Sequence, residues 1–423
     1  MANRDSGGRG VAPEAVLAAG LVGAAATLWL TNQNGLISPA PAAVLGTLYV
    51  LLSSAGIVAA VWLTAMGLGW PIRRYLMPGL YQGWIAQAAA GLAALWMIDW
   101  LLAWAGALNG VTSWALLGVG LLGIAWQFTD PALRAKLRGS LTLPRMPWSV
   151  ALFGPPIGVM LAAVSCPAGS MWAVEAFGYD VLSYHLQLPR EWLELGAMTP
   201  LEHNVYSYLP GLVESGYMQV AAMAGGGREA VYPAQLLHAT TAILAAAAVA
   251  AMVARRVGNV AGGAAGAVFL AMPWTVILGS MAYNEMGAIA LGAAALMVAF
   301  DDVGRRLRGA VVVGGLAGAA TLCKLTAGPS LAVPLGLTLL LGLHGSLDQR
   351  LWRRRVKMAG LAAAVGLIVL TPFFVRNAVS TGNPVFPFLP QTFGFGHWSE
   401  AQAQRWREKH FETDLFHGWG EAM

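Results

Sequence analysis

Asp180, Tyr184, Gln187 and Glu191 recur at helical spacing in GYDVLSYHLQLPREWLELG. At 100° per residue they share one narrow stripe, with Ser183 and Glu194 beside it. Val181, Leu182, Leu186, Trp192 and Leu193 take the opposite side. The pattern predicts an amphipathic helix at a membrane surface, its polar side turned to a cavity or to water, kinked at Pro189. The stripe belongs to a polar island, residues 173 to 229, that also holds Glu202 and Glu214. Carboxylates near hydrocarbon are costly, so a cluster of them marks chemistry or transport. The bland alternative for Asp180 is a helix N-cap after Gly178 and Tyr179. Ser183 stands where a capping box needs Glu or Gln, so no such box supports it.

Other candidates lie far along the chain. Glu285 opens an apolar run directly after MAYN, where the helix dipole favours a carboxylate. It is also the only acid between Glu229 and Asp301. Lys324, in GAATLCKLTAG, either snorkels to an interface or meets an anionic lipid headgroup. Arg376 and Asn377, in FVRNAVSTGNPVFP, sit where an apolar run ends before a turn signal. The planar fork of Arg376 suits a phosphate. His185 and His203 lack metal-ligand spacing, so a divalent metal is not expected. The aromatics of the island, among them Tyr184, Tyr206 and Tyr208, read mostly as a membrane-interface belt.

These groups need a scaffold, and composition defines it. Of 423 residues, 57% are hydrophobic and only 11% charged, with mean hydropathy +0.61. A soluble domain carries about 25% charged residues, so the chain reads as an all-α integral membrane protein. Its 52 glycines, with abundant alanine, suit close helix packing in lipid. Cys166 and Cys323 lie in separate apolar runs and form no disulfide framework. The net charge of +5 resides in short basic loops, the mark of membrane topology; nucleic acid is rejected as a partner. The Val11–Leu30 run is long enough to span, and no cleavable signal peptide is evident.

Apolar runs predict a polytopic bundle of about eleven spans: 11–31, 41–66, 83–107, 113–128, 149–171, 230–254, 258–281, 286–300, 309–325, 327–344 and 358–375. Basic clusters must be cytoplasmic: Arg4 and Arg9, Arg73 and Arg74, Arg134 to Arg145, Arg255 and Arg256, Arg305 to Arg308, and Arg350 to Lys357. They alternate only if residues 206–226 do not span, which predicts an interfacial or partly inserted helix there. The island, the Tyr283–Glu285 turn, the Lys324 turn and the tail 376–423 then share the outer face. Residues 1–147 read as accessory transmembrane helices without buried charge, plus a basic linker, and 148–423 as the functional core.

The motifs YDVLSYHLQLPREWLELG, HNVYSYLPGLVESGY, AYNEMGA, GGLAGAATLCKLTAG and FVRNAVSTGNPVFP, in that order, resemble the GT-C superfamily of membrane glycosyltransferases over about residues 149–390. The chain is similar to the branch of protein O-mannosyltransferases and the lipid A aminoarabinose transferase. The resemblance implies a GT-C-like fold, with Asp180 as the catalytic carboxylate and Glu285 as the substrate-positioning acid of the next outer loop. Family members often carry Asp at the latter position. Lys324 resembles a contact to a lipid phosphate, and Arg376 with Asn377 matches the family's Arg-Asn pair. Tyr184, His185, Glu191 and Glu214 are further candidates for substrate binding. Many relatives continue beyond the equivalent of Met423, so the chain is either a minimal member or incomplete.

The expected activity is transfer of a sugar from a polyprenyl-phosphate donor to an acceptor hydroxyl on a lipid, glycan or protein. It would take place at the outer face of the inner (plasma) membrane, with inversion and without a cofactor. A secondary transporter and a non-catalytic envelope-assembly protein are the rival classes. Transport predicts mid-depth polar residues and paired broken helices.

Overall fold

The computed structural model describes residues 12–33, 40–131, 133–135, 147–172, 178–301, 306–341 and 349–411. The expectations for Arg4, Arg9, Lys136, Arg138, Arg145, Arg305, residues 173–177 and residues 412–423 lie outside that set. Among the described residues the chain is all-α; the one strand-like feature is an isolated bridge between Leu201 and Asn204.

The helices in chain order are α1 (Pro13–Gln33), α2 (Ala40–Leu76), α3 (Gly83–Trp104), α4 (Gly110–Gln127), α5 (Gly154–Val164), α6 (Gln187–Leu195), α7 (Leu212–Ala224), α8 (Val231–Val257), α9 (Asn259–Ala271), α10 (Pro273–Gly279), α11 (Glu285–Phe300), α12 (Leu307–Cys323), α13 (Ala327–Leu341), α14 (Gln349–Thr381), α15 (Pro390–Phe393) and α16 (Glu400–Phe411). A 3-10 turn, Trp148–Phe153, precedes α5, and a second, Val205–Tyr208, precedes α7.

Every apolar run read as a span contains helix, but the count of eleven does not follow. Among the described residues five helices are long and apolar enough to cross a bilayer, within α2, α3, α4, α8 and α14; α9 and α10 make a sixth if the bent pair is one span. The α9–α10 pair bends by 64°. Proline explains the bend: Met272, preceding Pro273, is forced out of the helical region to φ −62°, ψ 131°. The apolar helices α11, α12 and α13 have only 16, 17 and 15 residues. At 1.5 Å per residue that gives roughly 22–26 Å, short of a hydrocarbon core of about 30 Å.

Small residues bring the helices to backbone contact. A Cβ at Gly91 of α3 would lie 1.7 Å from the Ala65 carbonyl oxygen of α2. One at Gly314 of α12 would lie 2.2 Å from the Ala362 carbonyl oxygen of α14. Any side chain there forces the pair apart, so glycine is required.

The boundary read at residue 147 does not coincide with a break in packing. Helix α3 lies against α7, α11 and α12, and its Ile85, Leu92, Trp96 and Trp100 join one buried core with residues of α8, α11 and α12. Residues 1–147 also hold a buried acidic side chain, Asp99 of α3, 0% exposed. Helix α7 does not lie on the surface of the bundle: Leu212 through Ala221 are all buried. At 13 residues it is too short to span. It is embedded in protein, packed on α3, α4, α6 and α12.

Two ends of the bundle differ in character. Arg255 Nη2 lies 3.3 Å from Asp301 Oδ2, and Arg308 donates to the Tyr75 carbonyl at 3.3 Å. These contacts gather the ends of α8, α11, α2 and the start of α12 at one basic end. Helices α11 and α12 run antiparallel from there, so Glu285 and Lys324 meet at the other.

Candidate functional site

Asp180 precedes a π-helical turn, Val181–His185, and its side chain makes no capping bond. The amphipathic helix is therefore split. Pro189 lacks the N–H that would bond the His185 carbonyl four residues back, and the wider turn lies just before α6. Its extra residue rotates the stripe, and Leu182, expected on the apolar side, is 55% exposed. Two polar pairs survive: the Tyr184 hydroxyl donates to Asp180 Oδ2 at 2.9 Å, and Gln187 Nε2 donates to Glu191.

From Asp180 an unbroken line of contacts runs into the protein. The Tyr184 ring lies 4.2 Å from the His185 ring, centroid to centroid, and stacks on Tyr206 at 4.0 Å and 16°. His185 Nδ1 lies 2.6 Å from Glu214 Oε1, with both residues buried. Asn284 Nδ2 donates to the same Glu214 oxygen at 3.2 Å. The Asn284 backbone N–H donates to Glu285 Oε2 at 3.3 Å, and Glu285 Oε1 accepts from Lys324 Nζ. Six of the expected residues, Asp180, Tyr184, His185, Glu214, Glu285 and Lys324, thus form one cluster, completed by Asn284. Burial first, and then the neighbouring Asp180 carboxylate, raise the Tyr184 phenol above its ordinary value, so it remains a donor to Asp180.

Glu191 stands apart. Besides Gln187 it pairs with His203, Nε2 to Oε2 3.0 Å, and among the described residues neither partner joins the line above. Among the described residues no three His, Cys, Asp or Glu side chains come together as metal ligands.

Arg376 and Asn377 do not line this cluster. Arg376, 1% exposed, donates through Nη2 to the Leu209 carbonyl at 2.7 Å and sits over the Trp100 ring at 5.4 Å. Asn377 Nδ2 donates to the Tyr208 carbonyl at 2.9 Å and to that of Phe386 at 3.1 Å. Trp100 Nε1 donates to the Pro210 carbonyl at 2.6 Å. Three consecutive carbonyls, Tyr208, Leu209 and Pro210, are each held by a different side chain. They form the turn that leads through Gly211, at φ +68°, into α7 and Glu214. Arg376 and Asn377 brace this turn, and Arg376 Nη1 has no partner among the described residues. The TGNP signal is a turn as expected: α14 ends at Thr381, and Asn383 Oδ1 accepts from the Val385 amide at 2.9 Å.

Two residues were not singled out from the sequence. His238 of α8 accepts at Nε2 from the Met286 amide, 3.1 Å, and lies 3.0 Å from the Leu278 carbonyl through Nδ1. It thereby satisfies a first-turn amide of α11 that would otherwise be orphaned. A lone histidine in QLLHATT carries no spacing that announces this. Asp99 is the second; neither of its oxygens has a partner among the described residues.

Beside Glu285 and Lys324 opens an apolar groove of ≈ 440 Å³ between α8, α11 and α13, lined by Met252, Ile289, Leu296, Ala327 and Leu331. The Lys324 side chain is 42% exposed at its mouth. The site therefore pairs an ammonium–carboxylate couple with a surface fit for a hydrocarbon chain. No protein-family model matches the chain, and no curated protein and no solved structure matches it.

Proposed function

We propose that the chain is a membrane glycosyltransferase of GT-C type. It moves a sugar from a polyprenyl-phosphate donor to an acceptor hydroxyl on a lipid, glycan or protein, outside the cytoplasm at the inner (plasma) membrane. The observation that carries this reading is the line of contacts from Asp180 to Lys324, which ends beside an apolar groove. The placement of Arg and Lys in turns at one end supports the sidedness.

In this reading the donor's chain lies in the groove and its phosphate displaces Glu285 from the Lys324 ammonium. The acceptor oxygen bonds to the anomeric carbon as that carbon's bond to the phosphate oxygen breaks. The hydroxyl proton passes to Asp180, and the electron pair leaves on the polyprenyl phosphate. A single displacement inverts the centre. Lys324 stabilises charge that grows on the leaving phosphate. Arg376 contributes by holding the 208–210 turn, not by touching the donor.

Mass spectrometry of envelope glycolipids and glycoproteins from cells carrying Asp180→Asn tests the reading. Loss of one glycan species is expected; an unchanged inventory overturns it. Transport is the second reading, favoured by the unpartnered Asp99 in a candidate span and by the bent α9–α10 pair. Substrate uptake that depends on Asp99 and survives Asp180→Asn would select it.

A further inference from the structure

The basic end carries a second site, independent of the transferase reading. Arg306, Arg308, Arg353, Arg354 and Lys357 line a cavity of ≈ 620 Å³ whose apolar wall includes Leu76. They come from two separate elements, the start of α12 and the first turns of α14, and converge against the end of α2. Among the described residues none of the five forms an ion pair. Arg308 makes its one bond to the Tyr75 carbonyl. Like charges held around one cavity, with no carboxylate among its described lining residues, repel, and an anion relieves that repulsion.

Leu76 also begins an apolar groove of ≈ 260 Å³ that runs on between α2, α3, α12 and α14, past Ile72, Val312, Gly315, Leu316 and Val369. A cationic head cavity thus continues into a hydrocarbon-lined groove. Helix α12 separates this site from Lys324: its 17 residues place the two ends roughly 26 Å apart.

We propose that this cavity and groove bind an anionic phospholipid of the surrounding bilayer, its phosphate among the five cations and one acyl chain along the groove. A soluble phosphate would use the cavity alone, and a zwitterionic lipid would gain little from the charges. The continuity through Leu76 favours the lipid.

The test is native mass spectrometry of the full chain titrated with phosphatidylglycerol or with phosphatidylcholine of the same acyl composition. The expected result is retention of the anionic lipid about tenfold above the zwitterionic one, undisturbed by millimolar inorganic phosphate. Two variants separate the parts of the site. Arg353→Gln with Arg354→Gln and Lys357→Gln removes the head contacts, and Gly315→Leu fills the groove. A Cβ at Gly315 meets nothing within 4 Å, so the helix admits a side chain there. Both are expected to lower retention to the zwitterionic level while leaving the thermal midpoint in detergent unchanged. Arginine loss can also disturb insertion, and Gly315→Leu then decides alone. Equal retention of the two lipids overturns the proposal. Displacement by phosphate, or full retention by Gly315→Leu, overturns it too.

Discussion

Glu214 and His185, on different helical elements and both buried, meet at 2.6 Å through Oε1 and Nδ1. This contact joins the π-helical turn that carries Asp180 and Tyr184 to α7. Through Asn284, which shares the same Glu214 oxygen, it also reaches the start of α11.

Removal of Glu214 strands two donors, on buried His185 and half-buried Asn284. Each unsatisfied group costs about 1–3 kcal/mol. Glu214→Ala is therefore expected to lower stability by about 2–5 kcal/mol, read as a drop in thermal midpoint in detergent. Glu214→Gln, which keeps an acceptor, should cost less. Equal midpoints for wild type and Glu214→Ala would refute the pairing.

The 208–210 turn makes a different prediction. Arg376→Gln and Trp100→Phe each free one carbonyl of the same turn and should each cost about 1–3 kcal/mol. Because both residues hold one turn and Arg376 lies over the Trp100 ring, the double variant should lose less than the sum. Strict additivity in a double-mutant cycle would show that they act separately.

Asp99 sits 0% exposed with both oxygens unpartnered among the described residues. A buried polar group without partners is a liability, and an apolar residue of similar size removes it. Asp99→Leu is expected to hold or raise the thermal midpoint. A fall in midpoint, or an intact fold with lost activity, would assign Asp99 work that its surroundings do not reveal.

In the proposed mechanism the Glu285–Lys324 pair competes with the donor's phosphate. Neutralising it by Glu285→Gln frees the ammonium, and a partly exposed pair is worth about 1 kcal/mol. Binding of polyprenyl phosphate should therefore tighten about fivefold. Isothermal titration or a fluorescent polyprenyl phosphate reads this directly, and weaker binding by Glu285→Gln would exclude the competition.

The sequence exposed some of these relations and hid others for physical reasons. Long apolar runs located the helices, because hydrophobicity over many residues is a summed signal. It could not fix α11 to α13 as spans, since 15 to 17 helical residues fall near the bilayer limit. The Asp180 and Tyr184 pairing was legible at i, i+4 spacing. The π turn that breaks the stripe depends on Pro189 and on packing, so periodicity alone missed it. Arg376 looked like a phosphate ligand because residue type does not reveal orientation; in the fold it points at the Leu209 carbonyl. Asp99 was hidden as one acid within LWMIDWLL, where a single polar residue barely lowers the hydropathy.

Turnover of a polyprenyl-phosphate sugar by the purified chain, wild type against Asp180→Asn, tests the central claim most directly. The account predicts that Asp180→Asn loses transfer by about 10²–10⁴-fold and still binds polyprenyl phosphate like wild type. Normal turnover by Asp180→Asn would contradict it.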